Sequence, residues 1–164
     1  MQETIFFQPF PTHDGGHMTL DHAKMEIRVL LIEDDAVDRH WVRKQLEAYP
    51  EVLFHLTVDT QLGPALGHLD SVFFDAVLLD LTLPDSHGGE TILRTLLHSK
   101  GIPLIVLSGN RDRQLSNSAR ARGVYAYLIK GLISMSQLAR TLHSAVLERR
   151  NFQAEENYEG SLPE

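Results

Sequence analysis

The sequence predicts an α/β fold, a doubly wound five-stranded parallel sheet in the order 2-1-3-4-5. Three observations carry this. Short apolar runs alternate with amphipathic segments between residues 27 and 152. The central runs, Ile27 to Ile32, Phe74 to Leu79 and Ile102 to Leu107, are almost continuously apolar, as strands covered on both faces must be. Right-handed crossovers then leave few topologies for five such strands.

The elements follow in order. Ile27 to Ile32 reads as a buried strand closed by Glu33-Asp34-Asp35. Ala36 to Ala48 reads as a helix, with Val37 and Trp41, and Val42 and Leu46, as i,i+4 apolar pairs, and Pro50 stops it. Leu53 to Val58 alternates, with Phe54, Leu56 and Val58 on one face. Gln61 to Leu69 is a weaker helix, starting at about Pro64 because Gly63 and Pro64 disfavour an earlier turn. The third strand, 74–80, leads to a helix over Gly89 to His98 carried by Ile92, Leu93, Leu96 and Leu97. Ile102 to Leu107 is the fourth strand, and Arg111 to Arg122 is a polar helix anchored by Leu115 and Ala119 and capped by Gly123. Ala126 to Ile129 is the fifth strand. The last helix starts at Ser134 and runs to about Phe152, with Leu138, Leu142 and Ala145 on one stripe.

At 164 residues the chain holds one full core. Residues 1 to about 25 show no sustained period and are punctuated by Pro9, Pro11, Gly15 and Gly16. His13, His17 and His22 read as a polar tail and not as a metal site, since no helical pattern would bring the rings together. Phe6, Phe7 and Phe10 are a weak docking motif. The start lacks a basic n-region, and no apolar run is long enough to span a membrane. With no cysteine there is no disulfide, thiolate metal site or thiol nucleophile, which suits a cytoplasmic protein. A formal charge of −7 disfavours non-specific nucleic-acid binding, and no stretch is dense enough in Lys and Arg to look like a basic arm.

Sheets of this kind bind ligands beyond the carboxyl ends of their strands. There the chain places Glu33, Asp34 and Asp35 after strand one, Asp80 at the end of strand three, Ser108 after strand four and Lys130 after strand five. Taken singly, each has an ordinary explanation as a helix cap, turn residue or solvated charge. Together they set acids, a hydroxyl and an ammonium on one rim. Crowded carboxylates call for a neutralising cation, and a hard divalent ion such as Mg2+ suits oxygen ligands. A carboxylate can attack phosphorus, and phosphoryl transfer then needs mainly positioning and charge neutralisation. Asp80 is the candidate nucleophile.

Four stretches then carry a resemblance: Val29-Leu30-Leu31-Ile32-Glu33-Asp34-Asp35, Asp80-Leu81-Thr82-Leu83-Pro84-Asp85-Ser86-His87-Gly88, Val106-Leu107-Ser108-Gly109, and Gly123-Val124-Tyr125-Ala126-Tyr127-Leu128-Ile129-Lys130. Over residues 27 to 150 the chain resembles a bacterial response-regulator receiver domain, of the CheY-like superfamily and flavodoxin-like fold. The resemblance implies a receiver domain over 26–152, and the composition on either side leaves a flexible tail over 1–25 and an acidic tail or linker over 153–164. It implies that Asp80 is the phosphoacceptor and that Asp34, Asp80 and the backbone carbonyl of Thr82 bind Mg2+, with Glu33 acting largely through water. Ser108 and Lys130 would grip the phosphoryl oxygens, and Tyr127 would be the switch that turns inward as Ser108 moves. It implies a histidine kinase or histidine phosphotransfer protein as donor, and a downstream protein target or fused output domain. The surface of the fourth helix, fifth strand and fifth helix would serve targets or a homodimer. Asp35 reads as part of the first helix's N-terminus, and His87 as a solvated loop residue. Thr82 and Asn110 flank the site. One departure is Gly131, where the family commonly has proline, which makes the following loop more permissive.

The rival readings fit less well. A phosphatase of the haloacid dehalogenase type wants a second acid where Thr82 stands, and a cap domain that this length does not hold. A flavodoxin-like FMN binder needs a first loop rich in hydroxyls and glycines to cradle phosphate, and Glu33-Asp34-Asp35 would repel one. A receiver acting as an unphosphorylated interaction module remains open. The charged run from Glu148 to Glu156 looks like a linker helix.

Overall fold

The computed structural model describes residues 24–134 and 136–159. Nearly all of the expected N-terminal tail, with His13, His17, His22 and the three phenylalanines, lies outside them. The elements are β1 (Met25–Ile32), α1 (Ala36–Glu47), β2 (Val52–Asp59), α2 (Leu62–Ser71), β3 (Ala76–Asp80), β4 (Thr82–Leu83), β5 (Ser86–His87), α3 (Gly88–Ser99), β6 (Leu104–Ser108), α4 (Arg113–Ala121), β7 (Ala126–Ile129) and α5 (Gln137–Glu159). The main sheet is parallel throughout, in the order β2-β1-β3-β6-β7, which is the expected 2-1-3-4-5 once the short β4–β5 hairpin is set aside.

Each central strand is apolar on both faces because each face is covered. Leu30, Ile32, Val77, Leu79, Leu104 and Val106 pack under α2, α3 and α4. Their alternates Val29, Leu31, Ala76, Leu78, Ile105 and Leu107 pack under α1 and α5. Burying one such side chain contributes about 1.5–3 kcal/mol, so a one-residue slip of register would cost every strand its core set. The register aligns Ile32 with Leu79, Asp80 with Leu107 and Ser108 with Ile129. The residues that follow these pairs therefore emerge on one rim.

Local chemistry sets the helix ends. Asp35 caps α1 by accepting from the N–H groups of Val37 and Asp38, at 2.8 and 2.9 Å. α4 ends in a Schellman turn: Val124 N–H donates to the Ala119 carbonyl and Gly123 N–H to that of Arg120, with Gly123 at φ +101°. Gly123 is thus the C-cap the sequence indicated.

Four expectations shift. α2 begins two residues before Pro64, because the Asp85 carboxylate reaches across and accepts from Leu62 N–H and Gly63 N–H, both at 2.8 Å. Two otherwise orphaned donors are satisfied from another loop, and Pro64 has no N–H to satisfy. Val37 is 75% exposed, so α1 is held by Val42, Gln45 and Leu46, with Trp41 at the edge. α3 buries Thr91, Ile92, Thr95 and Ser99, while Leu93 and Leu97 face outward, Leu97 at 73% exposure. The hydroxyls are buried at little cost because their partners are close along the chain: Thr95 donates to the Thr91 carbonyl, Ser99 to that of Leu96, and Thr91 pairs with Ser86. Finally, α5 continues past Phe152 to Glu159, with residues 151–158 exposed.

Candidate functional site

The rim at the carboxyl ends of β1, β3, β6 and β7 collects the expected residues. Glu33 follows β1 and is fixed by its own N–H, which donates to the Asp59 carbonyl of β2 at 2.9 Å. Its side chain is buried, and Oε1 accepts the Asp35 N–H at 3.0 Å. Arg39, one turn along α1, donates to the carbonyls of Glu33 and Asp34 at 3.2 and 2.6 Å and holds the β1–α1 loop in place. Asp80 ends β3, buried, with Oδ2 accepting the Thr82 N–H at 2.8 Å. Oxygens of Glu33, Asp34 and Asp80 lie within 4.8 Å of one another, Asp34 alone being exposed.

Lys130 is positioned by its N–H, which donates to the Ser108 carbonyl at 2.9 Å. Its ammonium reaches Asp38 Oδ2 at 2.5 Å, Glu33 Oε2 at 2.7 Å and Asp80 Oδ1 at 3.0 Å. Burial works against that charge, but hydrogen bonds to Asp38, Glu33 and Asp80 outweigh it and hold the pKa above the ordinary lysine value. Burial pushes the Glu33 carboxyl above its ordinary value, against the pull of Lys130 and the Asp35 N–H. Three acids thus share one ammonium with Asp34 beside them, and the donor set is all oxygen. That combination fits a hard divalent cation, which would offset the excess charge.

The other expected residues take distinct places. The Ser108 hydroxyl is buried and bonded to the backbone of Asn110, accepting from its N–H at 3.1 Å and donating to its carbonyl at 3.2 Å. Tyr127 points into the core between β7 and α4 at 6% exposure, and its buried hydroxyl has no hydrogen-bond partner among the described residues. Thr82 and His87 are exposed and pair across the β4–β5 hairpin. Gly131 lies outside the left-handed region, and a Cβ there would meet open space, so nothing in its surroundings demands glycine. Sequence reasoning missed Asp38 and Asp85. Asp38 stands in the first turn of α1, and the reach of Lys130, 92 residues away, gives it a site partner.

The family model described as "Response regulator receiver domain" matches residues 29–152. The chain belongs to the response-regulator receiver family. Among curated relatives, this receiver is 32% identical over 122 residues to the cell cycle transcriptional regulator CtrA of Caulobacter vibrioides, covering 73% of the chain and 50% of CtrA. It is 30% identical over 128 residues to protein-glutamate methylesterase/protein-glutamine glutaminase 1 of Myxococcus xanthus, covering 77% of the chain and 36% of that protein. The receiver therefore spans half or less of the length of these relatives. Among solved structures, a CheY-like receiver from Methanospirillum hungatei superposes with TM-score 0.65 at 22% identity, over 76% of this chain and 97% of that one. The receiver domain of a sensor histidine kinase from Pseudomonas aeruginosa, with a magnesium ion coordinated in its active-site cleft, gives 0.62 at 21% identity, over 74% and 98%. At these identities the structures establish the fold. No helix among the described residues is long and apolar enough to cross a membrane.

Proposed function

We propose that this receiver takes a phosphoryl group onto Asp80 from a histidine kinase or histidine phosphotransfer protein and thereby switches a protein-interaction surface. The observation that carries the reading is the placement of Asp80, a buried carboxylate held between the Lys130 ammonium and the Thr82 N–H at the centre of an acidic rim. Mg2+, held by Asp34, Asp80 and the Thr82 carbonyl with Glu33 behind them, would neutralise the charge of the incoming phosphoryl group. The Thr82 N–H orients the Asp80 carboxylate. One of its oxygens forms a bond to phosphorus as the bond to the donor's nitrogen breaks, and the leaving group keeps the electron pair. Lys130 and Ser108 grip the phosphoryl oxygens, for which Ser108 leaves Asn110. Tyr127, already inward, is the aromatic partner of that movement. Water later attacks the acyl phosphate, returning Asp80 and releasing inorganic phosphate. The chain acts as a signalling domain in the cytoplasm, and its output is a downstream protein target, a fused domain or a homodimer.

With Mg2+ and acetyl phosphate, intact-mass measurement should show one base-labile phosphate on the wild-type chain and none on Asp80→Asn. A wild-type chain that stays unmodified with metal present would favour an interaction module independent of phosphorylation. Labelling of Asp80→Asn would move the acceptor elsewhere.

A further inference from the structure

An ammonium has three N–H donors, and Lys130 has three carboxylate oxygens around it, on Asp38, Glu33 and Asp80. To grip a further oxyanion it must release one of them. The three are not equally easy to release. Asp80 is the group that would carry the phosphoryl. The Glu33 side chain is only 1% exposed, so a lost partner there leaves a buried carboxylate short of a donor. The Asp38 side chain is 36% exposed on the first turn of α1, where water can replace the ammonium. Its backbone is anchored, because the Asp38 N–H donates to the Asp35 cap, so it offers a fixed point toward which Lys130 is drawn.

We infer that Asp38 is a positioning residue that holds Lys130 in a resting place, and that phosphorylation must break the Asp38–Lys130 pair before the lysine can serve the phosphoryl group. The inference rests on Asp80 as the phosphoacceptor. It makes Asp38 a brake: a fourth acid that binds no substrate but competes with it for the cation. The competition is over position and not over protonation, since the charge on Lys130 is secured by all three acids together.

The test follows phosphate gain by intact mass on the full chain, with Mg2+ and acetyl phosphate. Asp38→Asn keeps the shape and removes the charge, and should gain phosphate about 3- to 5-fold faster, the upper part of the scale of a partly exposed ion pair. Asp38→Glu, which restores the carboxylate, should return the rate to within about twofold of wild type. In a Lys130→Met background, followed over longer incubation, Asp38→Asn should give no acceleration, because the brake acts through the lysine. An unchanged or slower rate in Asp38→Asn, beside a labelled wild type, overturns the inference. So does an equal acceleration in the Lys130→Met background, which would make Asp38 a remote charge. Failure of the underlying reading looks different: the wild-type chain itself takes no phosphate, and the brake falls with it.

Discussion

Asp75, just before β3, and Asp80, at its far end, are both buried carboxylates on the same short segment. Around Asp75 the single carboxylate is fully met by cations. Its Oδ2 accepts the Arg28 N–H at 2.8 Å, its Oδ1 accepts from Arg150 of α5 at 2.9 Å, and the Arg28 guanidinium lies 3.8 Å away, stacked over Phe73. Around Asp80 acid is in excess, since Glu33 and Asp38 share one lysine with it and Asp34 stands beside them. Burial alone therefore says little about what an acid does. The neutralised end is a clamp that ties α5 to the sheet, and the acid-rich end is the one that the proposed cation and phosphoryl group would use.

Exchanging the two acids' fates is the strongest way to break this comparison. Asp80→Asn should lose all phosphate uptake in the intact-mass assay and show no fall in thermal stability, because it relieves crowding on the rim. Asp75→Ala should keep uptake but lose about 2 kcal/mol with its hydrogen bonds to Arg28 and Arg150, read as a fall of about 5–10 °C in Tm. A stable but unlabelled Asp75→Ala would place it in the functional machinery after all.

The next effect concerns the cation that the acidic rim would hold. Millimolar Mg2+ should raise the Tm of wild type and of Asp75→Ala by a few degrees through binding to the folded state alone, and should leave Asp34→Asn unchanged. Equal shifts in all three would mean that the ion binds elsewhere.

The smallest effect lies between the two ends. Asp85→Ala should cost about 1 kcal/mol, the scale of a helix N-cap. Burial works against the Asp85 charge, but the N–H groups of Gly63 and Leu62 outweigh it and hold its carboxyl below the ordinary value. A folded pKa below the unfolded one means that the contribution is complete above about pH 4 and is lost as pH falls through the lowered folded value. The Tm gap between Asp85→Ala and wild type should therefore close in acid. A gap that persists at low pH would show that the residue acts through packing and not through its charge.

Much of this was legible in the sequence because it depends on local pattern. The five main strands are short apolar runs with punctuated ends, and their order follows from chain handedness, so the residues at the ends of β1, β3, β6 and β7 could be placed on one rim before any coordinates. Three features escaped. The β4–β5 hairpin has strands of two residues, too short for alternation to register. α3 was read from its leucines, but the face it buries carries hydroxyls whose partners lie within the helix or on Ser86. Asp38 and Asp85 act on partners 92 and 23 residues away, and no window along the chain contains such a pairing.

The hydroxyl face of α3 has a mechanical consequence. A helix seated through leucines is keyed into its sheet, and any shift along the axis must climb out of complementary holes. In α3 the bonds of Thr95 and Ser99 end on the helix itself, and that of Thr91 on β5, the short strand leading into it, so they travel with the helix when it moves. Fully buried Ile92 is its main apolar key, with Leu96 partly buried beside it. α3 is thus a low-friction element joined directly to the loop that follows Asp80, and its amides should exchange with solvent faster than those of the buried turns of α5.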